Sequence, residues 1–301
     1  MLPRYPIYIP SKGRWNHSIT AMRLREIGLD FFVVVEDSEA DKYERTLGKE
    51  NILTLPFNNL GKGSIPARNW IWEHAAAAGH KRHWVIDDNI ARFYRLNFNR
   101  RIPVRTGSIF RCVEDFSDRY ENVAISGFGY MGLTPDRDPR HAPFILNARV
   151  YSMILMATDL PYRWRGRYNE DTDICLRALK DGHCTVLFNI FLGDKTTTLM
   201  MEGGNTDTVY ATGDHRREFA ESLVRQHPDV ARVVWKFGRW HHEVDYRRFK
   251  KNTLRLREGV TPTNEVDEYG MRLVRRPHWS AILGKSDLSV IGSNDGEVAI
   301  P

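Results

Sequence analysis

The sequence is poor in several things, and each shortage narrows the field. It has three cysteines in 301 residues, Cys112, Cys175 and Cys184. They are too few and too scattered for a disulfide framework or a cysteine-rich zinc site, and a reducing cytoplasm suits such a chain. Nowhere do about 18 apolar residues run together, which gives no candidate membrane span. The first residues pass from Met1 directly into "LPRYPIYIPSKGR", without the basic-then-apolar pattern of a secretion signal. Internal repeats and low-complexity tracts are missing too. What remains is an ordinary globular composition, 42% hydrophobic and 27% charged, long enough to bury a sizeable core. A formal charge of +6 favours an anionic partner.

Short apolar runs alternate with helical spacing through the first 90 residues. "YPIYI" (residues 5–9), "FFVVV" (31–35), "NILTL" (51–55), "HWVI" (83–86) and "VAIS" (123–126) read as buried strands. Residues 18–27 and 67–78 read as helices, the second with Pro66 in its first turn. This alternation predicts βαβ units in an α/β fold with a mostly parallel, mixed sheet flanked by helices, whose ligand site lies at the carboxyl ends of the strands. Further on, residues 149–156 and 185–188 read as strands, 169–182 and 214–227 as helices. Residues 194–214 form a long polar, glycine-bearing stretch suited to a lid or binding loop. The tail from Gly284 is small and polar and is expected to be loosely held.

The strand at residues 83–86 stops at Asp87-Asp88-Asn89. Two adjacent carboxylates repel unless a cation or hydrogen-bond donor offsets them, and Mg²⁺ or Mn²⁺ prefers carboxylate and phosphate oxygens. A strand-capping turn would use the same residues. "GKGS" (residues 61–64) is no P-loop, because Gly63 separates Lys62 from Ser64 and Pro56 stands where the leading glycine belongs.

"IYIPSKGR", "VVVEDSE", "LGKGSIPARNWIWEHAAAAGHKRHWVIDDN" and "RGRYNEDTDICLRALKDG" occur in the order found in GT-A nucleotide-sugar glycosyltransferases. Together with "GGNTD" and "HPDVARVVWKFGRWHHEVDY", they resemble the TET/JBP-associated glycosyltransferases. That phage and bacterial family is linked to sugar transfer onto hydroxymethylated pyrimidines in DNA and is related to the base J glucosyltransferase. The resemblance implies a GT-A domain over residues 1–250, with a nucleotide-sugar half to about 125 and an acceptor half from 126, followed by an extension over 251–301. It implies a UDP-sugar donor and Mn²⁺ or Mg²⁺ held by Asp88 and Asp87, with His242 or His241 completing the shell. Asn89 stands where many GT-A enzymes carry a third acid.

The same resemblance implies donor contacts from Pro10, Ser11, Arg14, Glu36, Asp37, Lys62, Arg68 and Asp87. It also singles out Asp171, with Glu170 beside it, as the base that takes a proton from the incoming hydroxyl in an inverting transfer. Acids in a helix's first turn also complement its dipole without any catalytic duty, and Asp173 shares that turn. Six arginines between Ala91 and Val113 interleave with Phe93, Tyr94, Phe98 and Phe110, and a second run, "YRWRGRY", precedes the acids. Arg92, Arg95, Arg100, Arg101, Arg163, Arg165 and Arg167 are therefore candidates for contact with DNA, whose phosphates and unstacked bases suit arginine among aromatics. A solvated basic face is the plainer account. A glycan or protein acceptor, a sugar nucleotidyltransferase, and a non-catalytic nucleic-acid-binding module are the competing functions.

Overall fold

The computed structural model describes residues 1–97, 100–134, 142–166, 168–196, 215–260, 273–274 and 298–299. Residues 1–255 form one compact unit and 256–301 a second. Of the second, a short parallel pair, Leu273–Val274 with Val298–Ala299, is described. The expected loop residues 197–214, including the "GGNTD" segment, and the tail from Gly284, apart from that strand pair, lie outside the described residues, as do Phe98 and Arg167.

The first unit is built on one ten-stranded sheet. Its N-terminal half contains β1 (Ile7–Pro10), β2 (Phe32–Glu36), β3 (Ile52–Leu55) and β4 (Arg82–Ile86) in the order β3-β2-β1-β4, all parallel. Beyond β4 come β9 (Met153–Ala157), β7 (Val123–Tyr130), β10 (Cys184–Lys195), β5 (Ile90–Asn97) and β6 (Arg100–Pro103), with β8 (Phe144–Leu146) also on β10. Here only β7 and β10 pair in parallel, and the other pairings are antiparallel. The sheet is thus mixed, with more antiparallel pairing than the early strand-helix alternation suggests.

Strand alternation divides the core. Ile7, Ile9, Val33, Val35, Trp84 and Ile86 face α1 (Ile19–Glu26), α2 (Ala40–Leu47) and α4 (Ser108–Asp118). The intervening Tyr8, Val34 and Val85 face α3 (Ile65–Ala77), while Ile125, Ile154 and Met156 meet Trp72 of α3 and Ile174 of α5 (Glu170–Lys180). Burial on both faces is why these strands read as continuous apolar runs. A last helix, α6 (Arg216–Gln226), packs Leu223 against Leu176 and Leu179 of α5, next to the antiparallel hairpin of β11 (Ala231–Lys236) and β12 (Arg239–Val244).

Two expected strand limits shift for physical reasons. The strand expected from residue 149 begins only at Met153, because Ser152 has φ +62 and turns its hydroxyl to Asp87. The strand expected over 185–188 runs on to Lys195, since β10 stays on β7 through a register shift as far as Gly193 and also takes β5 as a partner from Phe191 onward. Gly193 permits this: a Cβ there would lie 2.1 Å from the Met153 sulfur. Helices α2 and α4 and the β5–β6 hairpin were not anticipated from periodicity.

Candidate active site

In the order β3-β2-β1-β4, β1 lies between β2 and β4, so the loops after β1 and β4 open side by side at the carboxyl ends of parallel strands, the place where such sheets bind ligands. Ser11 and Arg14 from the first loop reach Asp88 from the second. Ser11 Oγ donates to Asp88 Oδ2 at 2.7 Å and Arg14 forms an ion pair with Asp88 Oδ1. Asp87 turns the other way. Its Oδ1 accepts from Arg68 Nη2 at 2.8 Å, and its Oδ2 accepts from Ser152 Oγ at 2.6 Å and Lys195 Nζ at 2.7 Å. Thr20 Oγ1 donates to the Asp87 carbonyl at 2.7 Å, fixing the turn from below.

The electrostatics follow from these partners. Burial alone would raise the Asp87 carboxyl, but Lys195 and Arg68 outweigh it and hold the group below the usual carboxylate range. For Asp88 burial wins over Arg14 and Ser11, with Asp87 adding to it, and its carboxyl is pushed above its ordinary value. Burial would lower the Lys195 ammonium; the adjacent Asp87 and Tyr130 reverse this and raise it. Lys195 Nζ also donates to Ser152 Oγ at 2.9 Å, and Ser152 Oγ is bonded to Tyr130 Oη.

Arg68 links this cluster to α5. Its Nε lies 3.3 Å from Ser64 Oγ and 3.9 Å from Glu170 Oε1, and its guanidinium stacks 4.9 Å from the Trp164 ring. Arg68 Nη1 is buried without a hydrogen-bond partner, and so is Asn89 Oδ1. Buried polar atoms call for a partner, and these two, near the end of β4, are ones a polar ligand could satisfy. Glu170 is pushed above its ordinary value, by burial first and by Asp171 and Asp87 next, against Arg68.

The three acids opening α5 have different surroundings. Asp173 is buried and accepts from Arg165 at 2.8 Å and His227 at 2.8 Å, with Arg177 at 2.9 Å. Asp171 lies inside the first turn and among the described residues bonds only to its neighbour, its Oδ1 accepting from the Thr172 amide at 2.7 Å and more weakly from Thr172 Oγ1. Arg149, Tyr130, Tyr151, Tyr246 and His242 all lie within electrostatic reach of Asp171. Arg149 stacks 4.5 Å from the Tyr151 ring.

The expected donor residues are spread along the same rim. Pro10 ends β1 half-buried, and Glu36 at the end of β2 accepts from Lys12 at 2.8 Å and from the Asn59 amide at 3.0 Å. Asp37 and Lys62 are exposed. The expected four-residue metal set does not converge. Among the described residues no group of three or more His, Cys, Asp or Glu is placed to hold a metal ion. His241 and His242 sit on β12 on alternate faces, His242 towards Arg149 and Asp171, while His241 Nε2 accepts from Arg239 at 3.0 Å. Burial pushes His242 down to about 4.

The arginine runs do not make one patch. In the β5–β6 hairpin, Leu96 pairs with Arg101 and Asn97 with Arg100, so Arg92 and Arg101 project from one face and Arg95 and Arg100 from the other. Arg101 is held by the carbonyls of Met131 and Thr134. Arg163 reaches Glu73 at 2.6 Å, and Arg165 serves Asp173. Arg92, Arg95 and Arg100 are exposed. Lys195, Ser152, Tyr130 and Arg149 had no signal in the sequence: the first three, far from Asp87 along the chain, gather around it only through the order β4-β9-β7-β10, and Arg149, ahead of β9, faces Asp171 instead.

An α/β sheet with cations and acids gathered at neighbouring parallel strand ends is the frame of a nucleotide-handling transferase. The chain belongs to the TET-associated glycosyltransferase family, whose model matches residues 5–204, and it is accordingly a glycosyltransferase. No curated protein sequence matches it. Among solved structures it is similar to a "putative nucleotide-diphospho-sugar transferase" from Desulfovibrio desulfuricans G20, at 11% identity and TM-score 0.39, covering 75% of this chain and 99% of that one. No helix among the described residues is long and apolar enough to cross a membrane.

Proposed function

We propose that this glycosyltransferase moves a sugar from a UDP-sugar to the hydroxyl of a 5-hydroxymethylpyrimidine in DNA. The observation that carries the donor half is the buried Arg68 Nη1, unpartnered beside Lys195 at the end of β4. A nucleotide diphosphate gains negative charge as the glycosidic bond breaks, and preorganised cations in a dehydrated corner stabilise that charge. Arg68 and Lys195 bind and orient the diphosphate, and Glu36 and Ser11 lie on the side expected for the nucleoside. Asp171 accepts the hydroxyl proton of the acceptor, no cation among the described residues being bonded to it, and Arg149 positions the acceptor next to it.

A resident divalent cation does not fit this arrangement. All four carboxylate oxygens of Asp87 and Asp88 already accept hydrogen bonds, and Arg14, Arg68 and Lys195 set three positive charges against these two negative ones. The offset that two neighbouring acids require is supplied by the chain itself. The DNA half of the reading rests on the family's association and on the chain's net charge of +6.

Incubation with several UDP-sugars and hydroxymethylated or unmodified DNA, followed by mass measurement of the digested nucleosides, tests both halves. A hexose-sized gain confined to hydroxymethylated DNA is expected, with and without EDTA. Sugar appearing only on a glycan or protein acceptor would remove DNA from the reading, and loss of all transfer in EDTA, restored by Mn²⁺, would return the cation to Asp87 and Asp88.

A further inference from the structure

The hairpin of β11 and β12 makes three choices that cost stability. Its strands pair in register, Trp235 opposite Trp240 and Lys236 opposite Arg239, leaving a two-residue turn of Phe237 and Gly238. Both have positive φ, +53 and +70. Such a turn favours Asn-Gly, and a bulky aromatic in the left-handed region is strained. The Phe237 side chain recovers little for this, being 92% exposed at the tip with only the edge of the His241 ring, 6.3 Å away, beside it among the described residues. Lys236 and Arg239 then place like charges directly across the strands beside it, which also disfavours the hairpin. Glu243 beside Lys236 and His241 beside Arg239 offset part of the charge cost, but nothing offsets the strained, exposed aromatic, and a local rule broken in this way points to a function.

The rest of the hairpin is built to hold that tip out rigidly. The Trp235 and Trp240 rings pack edge to face at 5.0 Å, and Arg217 of α6 stacks 5.1 Å from Trp240. Glu243 fixes Arg232, at 2.6 Å, and Lys236 along one side. At its other end the hairpin carries His242 beside Asp171 and Arg149. Along the hairpin axis Phe237 lies four residue steps beyond Val233, the cross-strand partner of His242, about 13 Å of rise. This is comparable to the ~12 Å width of the DNA major groove.

We propose that Phe237 is a wedge that enters the base stack of duplex DNA while Lys236 and Arg239 hold the flanking phosphates, opening the duplex so that the acceptor base reaches Asp171. The charge of the tip selects this occupant: an aromatic between two cations matches a base step between two phosphates, whereas a second copy of the same tip would bring four cations together. Aromatic and apolar wedges part base steps in this way, and an enzyme acting on a base in a duplex gains from taking it out of the stack. This inference rests on the DNA reading above and assigns its duplex-opening element to a part of the chain outside both arginine runs.

The test uses the full chain and a duplex carrying one 5-hydroxymethylcytosine next to 2-aminopurine, with the corresponding single strand as comparison. Wild-type protein is expected to raise the 2-aminopurine fluorescence of the duplex. Phe237→Ala should abolish that rise and lower transfer to the duplex about tenfold more than transfer to the single strand, and Phe237→Trp should restore both. Lys236→Gln with Arg239→Gln should weaken duplex binding and flatten its salt dependence. Unchanged fluorescence with Phe237→Ala, no rise with the wild type, or a dimer that dissociates on that substitution would overturn the wedge. If the fluorescence response depends on Phe237 while no sugar reaches any DNA, the wedge stands and the acceptor assignment fails.

Discussion

Two acidic turns, one after β4 and one opening α5, look alike in sequence and differ in space. After β4, Arg14, Ser11, Arg68, Ser152 and Lys195 occupy every carboxylate oxygen of Asp87 and Asp88. At α5, three cationic or cation-capable side chains converge on Asp173, whereas Asp171 accepts only from Thr172 among its bonded partners. Acids that are fully paired hold structure and carry their cations into position. The acid bonded only to its helix neighbour among the described residues, Asp171, is the one proposed above as the base. The difference separates scaffold from chemistry more sharply than the count of acids in either motif.

The largest effect should come from removing the unpaired acid. Asp171→Asn is expected to lower transfer about 10²- to 10⁴-fold while donor affinity, read by titration with the UDP-sugar, stays within a few-fold. Equal transfer by this variant would place the base elsewhere. Lys195→Met should come next, with a loss of about 10²- to 10³-fold in kcat that added Mn²⁺ does not repair. A rescue by metal would mean that the turn after β4 is a cation site after all.

Asp173→Asn sharpens the other side of the comparison. Removing one partner from a buried ionic cluster costs about 3–5 kcal/mol, so thermal or denaturant unfolding should shift strongly while transfer per folded molecule changes little. A milder signature belongs to buried His83 and half-buried His242. Burial holds His83 down to about 3 and His242 down to about 4 in the folded chain, against about 6.5 when unfolded. Between these values the unfolded state binds more protons, so stability is full above about pH 6.5 and falls as the pH drops towards 4. His242→Gln should reduce that acid-side slope in melts taken from pH 7 to pH 4; an unchanged slope would detach His242 from the cluster around Asp171.

Much of the fold was readable because its cause is local. Strands β1 to β4 are buried on both faces and so appear as unbroken apolar runs, and Pro66 at the start of α3 and Gly182 just beyond the end of α5 mark helix limits. The β5–β6 hairpin was obscured because one arginine-rich run serves two opposite faces of a sheet edge, and α4, whose Ile109, Phe110 and Val113 do recur at helical spacing, because its start lies within that same run. Of the site, the acids and Arg68 lie in short motifs that can be recognised. Lys195 gave no such sign: it is 108 residues from Asp87 and becomes its partner only when β10 continues past its apolar segment.

By itself, the sequence determined that this is an α/β glycosyltransferase with acids at a strand end and at a helix start, because apolar periodicity and motif spacing are properties of neighbouring residues. Which acids are neutralised, which one stays available, and that Phe237 stands exposed at the end of a strained hairpin were decided only by the tertiary structure. Charge pairing and burial depend on distances between segments, and those distances are set by the order in which the strands join the sheet.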